Sequence, residues 1–489
     1  MTTFFENALT AGTAFNPPET IKGVSPLEAD KIRALWQVWA RKLSRNLLRS
    51  SYYDGKVPVK NLFISTPPQV AARISSVIGW PAKAVDALAD LSIFEGFVSK
   101  DGVTDPFGLS PILERNHFGM EFSQAVRSAY KHSCAFLTVA ENPEAPGEIL
   151  IMARSAEYSA ATWDRVRREM DGMLSIIDTD KDGRPTIADI FLPEVTIRIT
   201  RLPGGAWSAD RRVNPYRQVM AEPIVYDPDI SRPFGRSRIS RPVMAITDNA
   251  MRTILRAEVS AEFYTAPRMA AIGVDEDAFA SGKWNLAIDR WVGFSRDEDG
   301  QAPNVQQFAQ MTMQPLLDQY RWYASQFAAE TDLPVSSLGI VQDNPSSAEA
   351  MRVAKDALYT RATTANLAHA NALERVARKV IALRDGLDEL PSEAFGIGAK
   401  FANLKPGSAL AADSLSKLVA AFPWFADSEI ALEYAGFSRQ EIDRLQGERK
   451  RAEGATLIQQ LLTSGTESEK TETESPDTDN AEGASEVEK

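Results

Sequence analysis

The chain has 489 residues, 44% hydrophobic and 25% charged, with a formal net charge of −12; it is long enough for roughly three domains with real cores, and as an acidic chain it does not read as a binder that neutralises phosphates. No apolar run approaches the roughly 20 residues that span a bilayer, and the N-terminus MTTFFENALTAGTAFNPPET carries neither a basic leader nor a small-residue cleavage site, so secretion is not expected. The single cysteine, Cys134, excludes an internal disulfide, and with only His117, His132 and His369 beside it a Cys/His zinc site has almost no ligands to draw on.

Ser25-Pro26 followed by Glu28 has the spacing of a capping box. It opens a helix whose apolar positions (Leu27, Ile32, Leu35, Trp36, Trp39, Leu43, Leu47) run to a stop near Tyr53-Asp54-Gly55. A second helix is expected from Pro68 to about Leu91, broken at Gly79-Trp80-Pro81, and a third from Pro111 to Tyr130. Strand patterns follow at 135–140, 148–154, 172–178, 185–192 and 194–202, with turns at Asn142–Gly147, Asp180–Gly183 and Pro203-Gly204-Gly205. Two further helices are expected. Ser240 caps the first, whose apolar stripe is Val243, Ile246, Ala250, Ile254, Ala257, Ala261 and Tyr264. Thr312 caps the second, which shows Leu316, Tyr320, Tyr323 and Phe327. The insert between them has strand-like pieces at Trp284–Ile288 and Trp291–Phe294.

A short polar loop after Leu333 then leads into the longest helix. Ser346 and Glu349 form its capping box, and neither proline nor glycine interrupts it before Gly386. Such a helix of about 38 residues measures about 57 Å, a strut for an assembly rather than the wall of a pocket. The last 27 residues, 463–489, carry nine acids against Lys470 and Lys489 and almost nothing to bury, the composition of a disordered tail.

Signals for catalysis are few. Asp178, Asp180, Asp182, Gly183 and Asp189 have the spacing of a calcium loop, but Pro185 and strand-like flanks favour a plain Asp/Gly turn. Ala426–Leu445 reads as two packed helices rather than a DNA-reading helix-turn-helix, because Glu441 and Asp443 offset Arg439 and Arg444. There is no phosphate-binding G-x-x-x-x-G-K-[ST] loop and no G-x-S-x-G. No catalytic residue and no cofactor is expected. The nine tryptophans are dispersed and read as packing.

Several segments, in order, carry a family resemblance: Tyr52-Tyr53-Asp54-Gly55; Val77-Ile78-Gly79-Trp80-Pro81 with Ala84-Val85-Asp86; Glu95-Gly96-Phe97; Arg232 through Ile239 (RPFGRSRI); Ala261 through Pro267 (AEFYTAP); and Leu333-Pro334 through Leu338-Gly339 with Ser346–Glu349. From about Ser25 to about Gln460 the chain resembles the portal proteins of tailed double-stranded DNA bacteriophages, the siphophage head-to-tail connector type, with a departure at Pro267-Arg268-Met269.

The resemblance implies an α+β, mainly helical subunit of a ring, usually of twelve copies, with this division: an N-terminal arm (1–24), a wing, helical and then β-rich (25–239), a stem helix (240–265), a clip (266–312), a second stem helix (313–331), a tunnel loop (332–346), a long bridging helix (347–390), a crown (391–462) and the acidic tail (463–489). It implies a conduit for duplex DNA during packaging and ejection, located in the virion and in the host cytoplasm during assembly. The implied partners are the terminase large subunit, head-completion or adaptor proteins, and the major capsid and scaffold proteins. Ser336, Ser337, Gln342, Asp343 and Asn344 would face the DNA, and Arg268, Trp284 and Trp291 would dock partners at the clip. Twelve helices about 10 Å wide enclose a bore of about 28 Å, room for a duplex sliding past a weakly charged lining. Two other readings stay open: a minor capsid or adaptor protein of the virion, and a calcium-dependent enzyme built around Asp178–Asp189.

Overall fold

The capping box of the first helix forms as its spacing predicts: Glu28 N–H donates to Ser25 Oγ at 3.3 Å and Ser25 N–H to Glu28 Oε2 at 2.8 Å. The computed structural model describes residues 15–57, 77–99, 105–264, 269–272, 304–307, 312–340, 348–404 and 409–454, apart from 436, 438–440, 443 and 453. Its contacts divide into two units, Met1–Phe401 and Ala402–Lys489.

In chain order the first unit contains β1 (Ile21–Lys22), α1 (Pro26–Tyr53), α2 (Trp80–Ala89), β2 (Phe94–Ser99), α3 (Ser110–Arg115), α4 (Phe118–His132), β3 (Cys134–Glu141), β4 (Ile149–Ser155), β5 (Ser159–Asp164), β6 (Glu169–Thr179), β7 (Pro185–Phe191), β8 (Val195–Arg201), β9 (Trp207–Val213) and β10 (Ala221–Val225). It continues with α5 (Arg241–Tyr264), β11 (Met269–Ile272), β12 (Asn304–Gln307), α6 (Gln314–Thr331), α7 (Ala348–Asp385) and β13 (Ile397–Phe401). The fold is mixed α+β.

The sheet order β1-β9-β8-β7-β6-β5 is an antiparallel meander with the short β1 added in parallel at one edge. One face of it receives α1. Ile32, Leu35, Trp36, Trp39, Leu43 and Leu47 recur at helical spacing and bury against Leu174, Ile176, Ala188, Ile190, Ile197 and Ile199, which alternate along their strands. Both indoles find acceptors, Trp36 Nε1 at Phe15 O (2.9 Å) and Trp39 Nε1 at Glu157 O (2.8 Å). A second sheet, β10-β3-β4, packs against α4 and α7, and a two-stranded sheet joins β13 to β2.

Several sequence expectations are corrected. The break expected at Gly79-Trp80-Pro81 is present, since Val77–Gly79 are not helical, and Trp80 and Pro81 form the first turn of α2, where a missing N–H costs nothing. The rest of that expected helix, toward Pro68, lies outside the described residues. The helix expected over 111–130 is two, because His117 adopts φ 46°. Beside it the Asn116 side chain turns to the β4 edge, donating to Ile149 O and accepting from Ile151 N–H at 2.8 Å each. Thr312 does not cap α6, which starts after Met313 with Pro315 in its first turn.

The apolar stripe expected on α5 shifts, while that of α6 (Leu316, Tyr320, Tyr323 and Phe327) lies on its less exposed side. On α5 the buried positions are Val243, Thr247, Ala250, Met251, Thr253, Leu255 and Val259; Ile246, Ile254 and Ala257 are half-buried and Ala261 is exposed. Thr247 can be buried because its hydroxyl bonds back to Val243 O at 2.7 Å.

In the second unit α8 (Ala409–Ala421), a 3-10 turn (Pro423–Asp427) and α9 (Glu429–Ala435) pack together. Ser428 caps α9 by accepting from Ala431 N–H at 3.2 Å, and Ile442 of the following helical stretch is fully buried. This is helix packing. Gly436 and Ser438, between the two helices, lie outside the described residues, as does the acidic tail.

Gly235 shows why its motif needs a glycine. Its φ is +67°, and a Cβ there would sit 2.0 Å from Tyr226 O; Arg236 N–H also donates to that oxygen at 2.9 Å. Gly235→Ala should therefore lower stability by about 2 kcal/mol or more, read as a fall in Tm; an unchanged Tm would contradict this packing.

Candidate functional site: the root of the helix pair

Helices α5 and α6 pack side by side and run in opposite directions, for Ser240 at the start of α5 lies 3.3 Å from Glu330 at the end of α6. Ser240 is the N-cap the sequence indicated, its hydroxyl accepting from Val243 N–H at 3.3 Å. At the other end of the pair the antiparallel ribbon β11–β12 continues it. Several of the segments that carry the family resemblance, those of Tyr52, of Trp80 and Ala84, and of Arg238, meet near the Ser240 end.

Arg238 is the centre of this joint. It is buried, and its guanidinium donates from Nε to Ala84 O in α2 at 2.5 Å, from Nη1 to Tyr226 Oη at 3.2 Å, and from Nη2 to Thr331 O. Thr331 is the last residue of α6, so that carbonyl is one the helix leaves without an internal partner, at the negative end of its dipole. Around it, Tyr52 at the end of α1 bonds both oxygens of Asp248 on α5 at 2.9 and 2.8 Å. Burial raises the Asp248 carboxyl and, with the hydrogen bond to Asp248, pushes up the Tyr52 phenol.

Tyr53 donates to Asp86 Oδ1 at 2.8 Å, and Arg127 meets the same oxygen at 3.0 Å. Trp80 lays its ring against Tyr320 and Phe327 of α6, with centroids 5.2 and 5.3 Å away.

The long helix closes the joint from the other side. It runs to Asp385, and Gly386 at φ +64° ends it, with Leu387 N–H returning to Ala382 O at 2.9 Å. Arg361 pairs with Asp332 just past α6 at 3.1 Å, and His369 reaches Tyr130 Oη at 3.3 Å. Further along, Lys379 is buried against Glu222 of β10 at 2.5 Å, with Arg375 on the same carboxylate at 2.9 Å.

Of the residues the sequence nominated, Ser336 and Ser337 sit in a 3-10 turn (Val335–Leu338) directly after the joint, Ser336 exposed and Leu338 buried beneath it. Gln342, Asp343 and Asn344 lie outside the described residues, as do Ser346, Arg268, Trp284 and Trp291. The strands that are described in that insert, β11 and β12, are not the two pieces the sequence suggested.

The calcium reading is corrected. Asp178 and Asp189 belong to β6 and β7 of one hairpin. Asp180 caps its turn through Asp182 N–H and Arg184 N–H at 3.0 and 2.8 Å. Asp189 is occupied by a two-pronged bond from Arg198 at 2.7 and 2.8 Å. Among the described residues no group of three or more such side chains is gathered to hold a metal ion.

One cluster the sequence did not indicate is Ser50, His132 and Glu157. Ser50 and Glu157 both meet His132 Nε2, at 2.9 and 3.3 Å, and the serine hydroxyl donates to Glu157. Its proton is therefore committed to the carboxylate rather than to the imidazole, and both Ser50 and His132 are buried. This is an interior polar network, not a nucleophile with its base.

Arg238 lay inside a quoted motif, but only the fold shows its partners. Its replacement by Met should destabilise by about 3 kcal/mol or more, since charge-assisted bonds are lost and buried carbonyls left unpaired. Arg238→Lys, unable to reach three acceptors, should not rescue the Tm; full recovery by lysine would contradict the fork geometry.

Burial lowers the His369 pKa to about 3, against about 6.5 in an unfolded chain. The unfolded state therefore takes up a proton below pH 6.5 that the native state refuses, so stability falls as pH drops from 6.5 toward 3, by at most about 1.4 kcal/mol per pH unit. Burial shifts His132 the same way. His369→Leu should flatten this acid slope in Tm measurements; an identical slope would contradict it.

The family model of the phage portal protein, SPP1 Gp6-like, matches residues 32–454. The portal protein of Mycobacterium phage L5 is 24% identical over 354 residues, 70% of this chain and 72% of that protein. The portal protein of Mycobacterium phage D29 is 24% identical over 360 residues with the same shares. Similar solved structures include the neck of a native GTA particle computed with C12 symmetry (14% identity, 75% of this chain and 89% of that one, TM-score 0.39). Another is the neck of an empty GTA particle computed with C6 symmetry (14% identity, 75% and 90%, TM-score 0.40).

Proposed function

The chain belongs to the SPP1 Gp6-like family of phage portal proteins, and from that premise we propose that about twelve copies close into the ring that conducts duplex DNA into and out of the capsid. As a portal vertex protein it is a structural component of the virion. In this reading α5 and α6 (240–265 and 313–331) are the stem, 266–312 the clip, 332–346 the tunnel loop, α7 the bridge, 391–462 the crown, and the helices and sheets of 25–239 the wing. The clip would dock the terminase large subunit during assembly in the host cytoplasm and the head-completion or adaptor proteins afterwards, through Arg268, Trp284 and Trp291. The wing would face the major capsid and scaffold proteins.

The observation that carries this reading is the helix pair itself. It is pinned at one end by Arg238, runs out to a ribbon at the other, and is nearly neutral, with four arginines and five carboxylates over both helices. Leu317 and Trp322 remain 49% and 55% exposed on α6, apolar area that a neighbouring copy of the same helix pair would cover. A neutral lining lets a duplex slide, where a basic one would hold it. Ser336 and Ser337, with Gln342, Asp343 and Asn344, offer weak and sequence-blind contacts just past the root of the stem.

Native mass spectrometry of the purified chain should show a closed ring of about twelve copies. Deleting residues 339–344, which spares the buried Leu338, should leave that ring intact while nuclease-protected DNA in a packaging reaction falls to background. A monomer under all conditions would overturn the ring; normal packaging by the deletion variant would overturn the loop assignment.

A further inference from the structure

We propose that the exposed face of α1 formed by Arg41, Lys42 and Arg45, with Arg49 behind them, is a second contact surface for duplex DNA, on the body of the subunit rather than on its helix pair. The inference rests on the portal reading for its ligand, and on geometry for the site.

The two halves of α1 treat their charges differently. In the N-terminal half carboxylates stand among the cations: Arg33 pairs with Asp30 at 2.8 Å, Glu28 receives Arg211 from β9 at 2.6 Å, and Lys31 alone is exposed without an ion pair among the described residues. Past Trp39 the pattern changes. Arg41, Lys42 and Arg45 are exposed, and among the described residues none of them meets a carboxylate. Arg49 is half-buried and bonds only a carbonyl, His132 O, at 2.6 Å. Lys42, Arg45 and Arg49 stand at i, i+3 and i+7, one line along a single helix face, with Arg41 beside it.

Crowding of like charges is unfavourable, and it bears on Lys42, whose ammonium is pushed down by partial burial and by Arg45, Arg41 and Arg49. The helix dipole does not account for the cluster, because its pull is confined to the last turn and the last turn of α1 holds no basic residue.

Four cations without counter-charges, on a chain with a net charge of −12, form a local feature opposite in sign to the whole. Residues 41–49 span about 12 Å of helix, which faces several phosphates of a duplex carrying one charge per about 1.7 Å of axis. The side chains contacted would be phosphate-seeking and blind to sequence, since no Asn, Gln or aromatic residue interleaves the exposed line to read a base edge. This separates two jobs: a near-neutral helix pair past which DNA slides, and a basic face on which a strand of packaged duplex can rest.

The test is equilibrium binding of a fluorescent duplex of random sequence to the full chain, followed by anisotropy across a salt series. The expected result is salt-sensitive binding. Replacing Arg41, Lys42 and Arg45 by Gln should weaken it uniformly across sequences and make the slope of log K against log salt shallower by about 2–3. The same substitutions at Arg165, Arg167 and Arg168, on the exposed tip between β5 and β6, should leave it unchanged.

Circular dichroism and native mass spectrometry of each variant separate this site from folding and from ring formation, so the ring can stand if this surface fails. Equal affinity and slope for the α1 variant would overturn the proposal. So would an α1 variant that binds DNA normally but loses incorporation into capsids, which would assign the face to an acidic protein instead.

Discussion

Arg238 brings a full positive charge into a place from which water is excluded, and the fold compensates it with peptide dipoles: its three bonds go to Ala84 O, to the Tyr226 hydroxyl and to Thr331 O at the C-terminal end of α6. A buried charge left alone would cost several kcal/mol, while each charge-assisted bond returns about 1.5–3 kcal/mol. The side chain is therefore stable only if α2, the end of β10 and the end of α6 are all in place. It makes three separate segments conditional on one another. The positive φ of Gly235, three residues earlier, lets the chain press against Tyr226 closely enough to deliver the arginine there.

From this joint the remaining structure follows by additions of the same kind. Tyr52 and Asp248 fix α1 to α5, Tyr53 and Arg127 share Asp86, and Arg361 and Asp332 fix α7 to the exit of α6. Farther along α7 the Glu222 carboxylate takes both Arg375 and buried Lys379. The core beneath α1 is apolar and tolerant of modest change, but the joint is polar and directional. In the function proposed above, where the helix pair would line a channel, that arrangement would let it hold its angle to the body while DNA passes. Hydrogen bonds with fixed geometry hold an angle better than apolar contact, which only holds proximity.

Much of the frame was legible from local chemistry. The Ser25–Glu28 box, the Ser240 cap, five of the six strands between 134 and 202 (Ser159–Asp164 was missed), and a helix that runs without interruption to Gly386 all depend on neighbours within four residues, and a sequence displays those directly. What stayed hidden depends on partners far away. Tyr52 and Asp248 are 196 residues apart and Arg238 and Thr331 are 93 apart. The strands β2 and β13 find each other across most of the unit, and neither has a pattern strong enough to announce itself. The α5 stripe was misplaced by one position because threonine counts as polar in a pattern, whereas Thr247 quiets its hydroxyl on its own helix and packs like a valine. The Asp178–Asp189 spacing misled in the opposite sense: it matched a metal loop in residue type, but alternation on two strands and the claim of Arg198 on Asp189 disperse the carboxylates.

The central claim is that one buried arginine sets the helix pair against the body of every subunit, and electron cryomicroscopy of the assembled particle at side-chain resolution tests it most directly. The account predicts density for the Arg238 guanidinium bridging the carbonyls of Ala84 and Thr331 in each copy, with the paired helices facing the symmetry axis. A guanidinium turned toward a neighbouring copy or toward solvent, with the helix pair still in place, would contradict it.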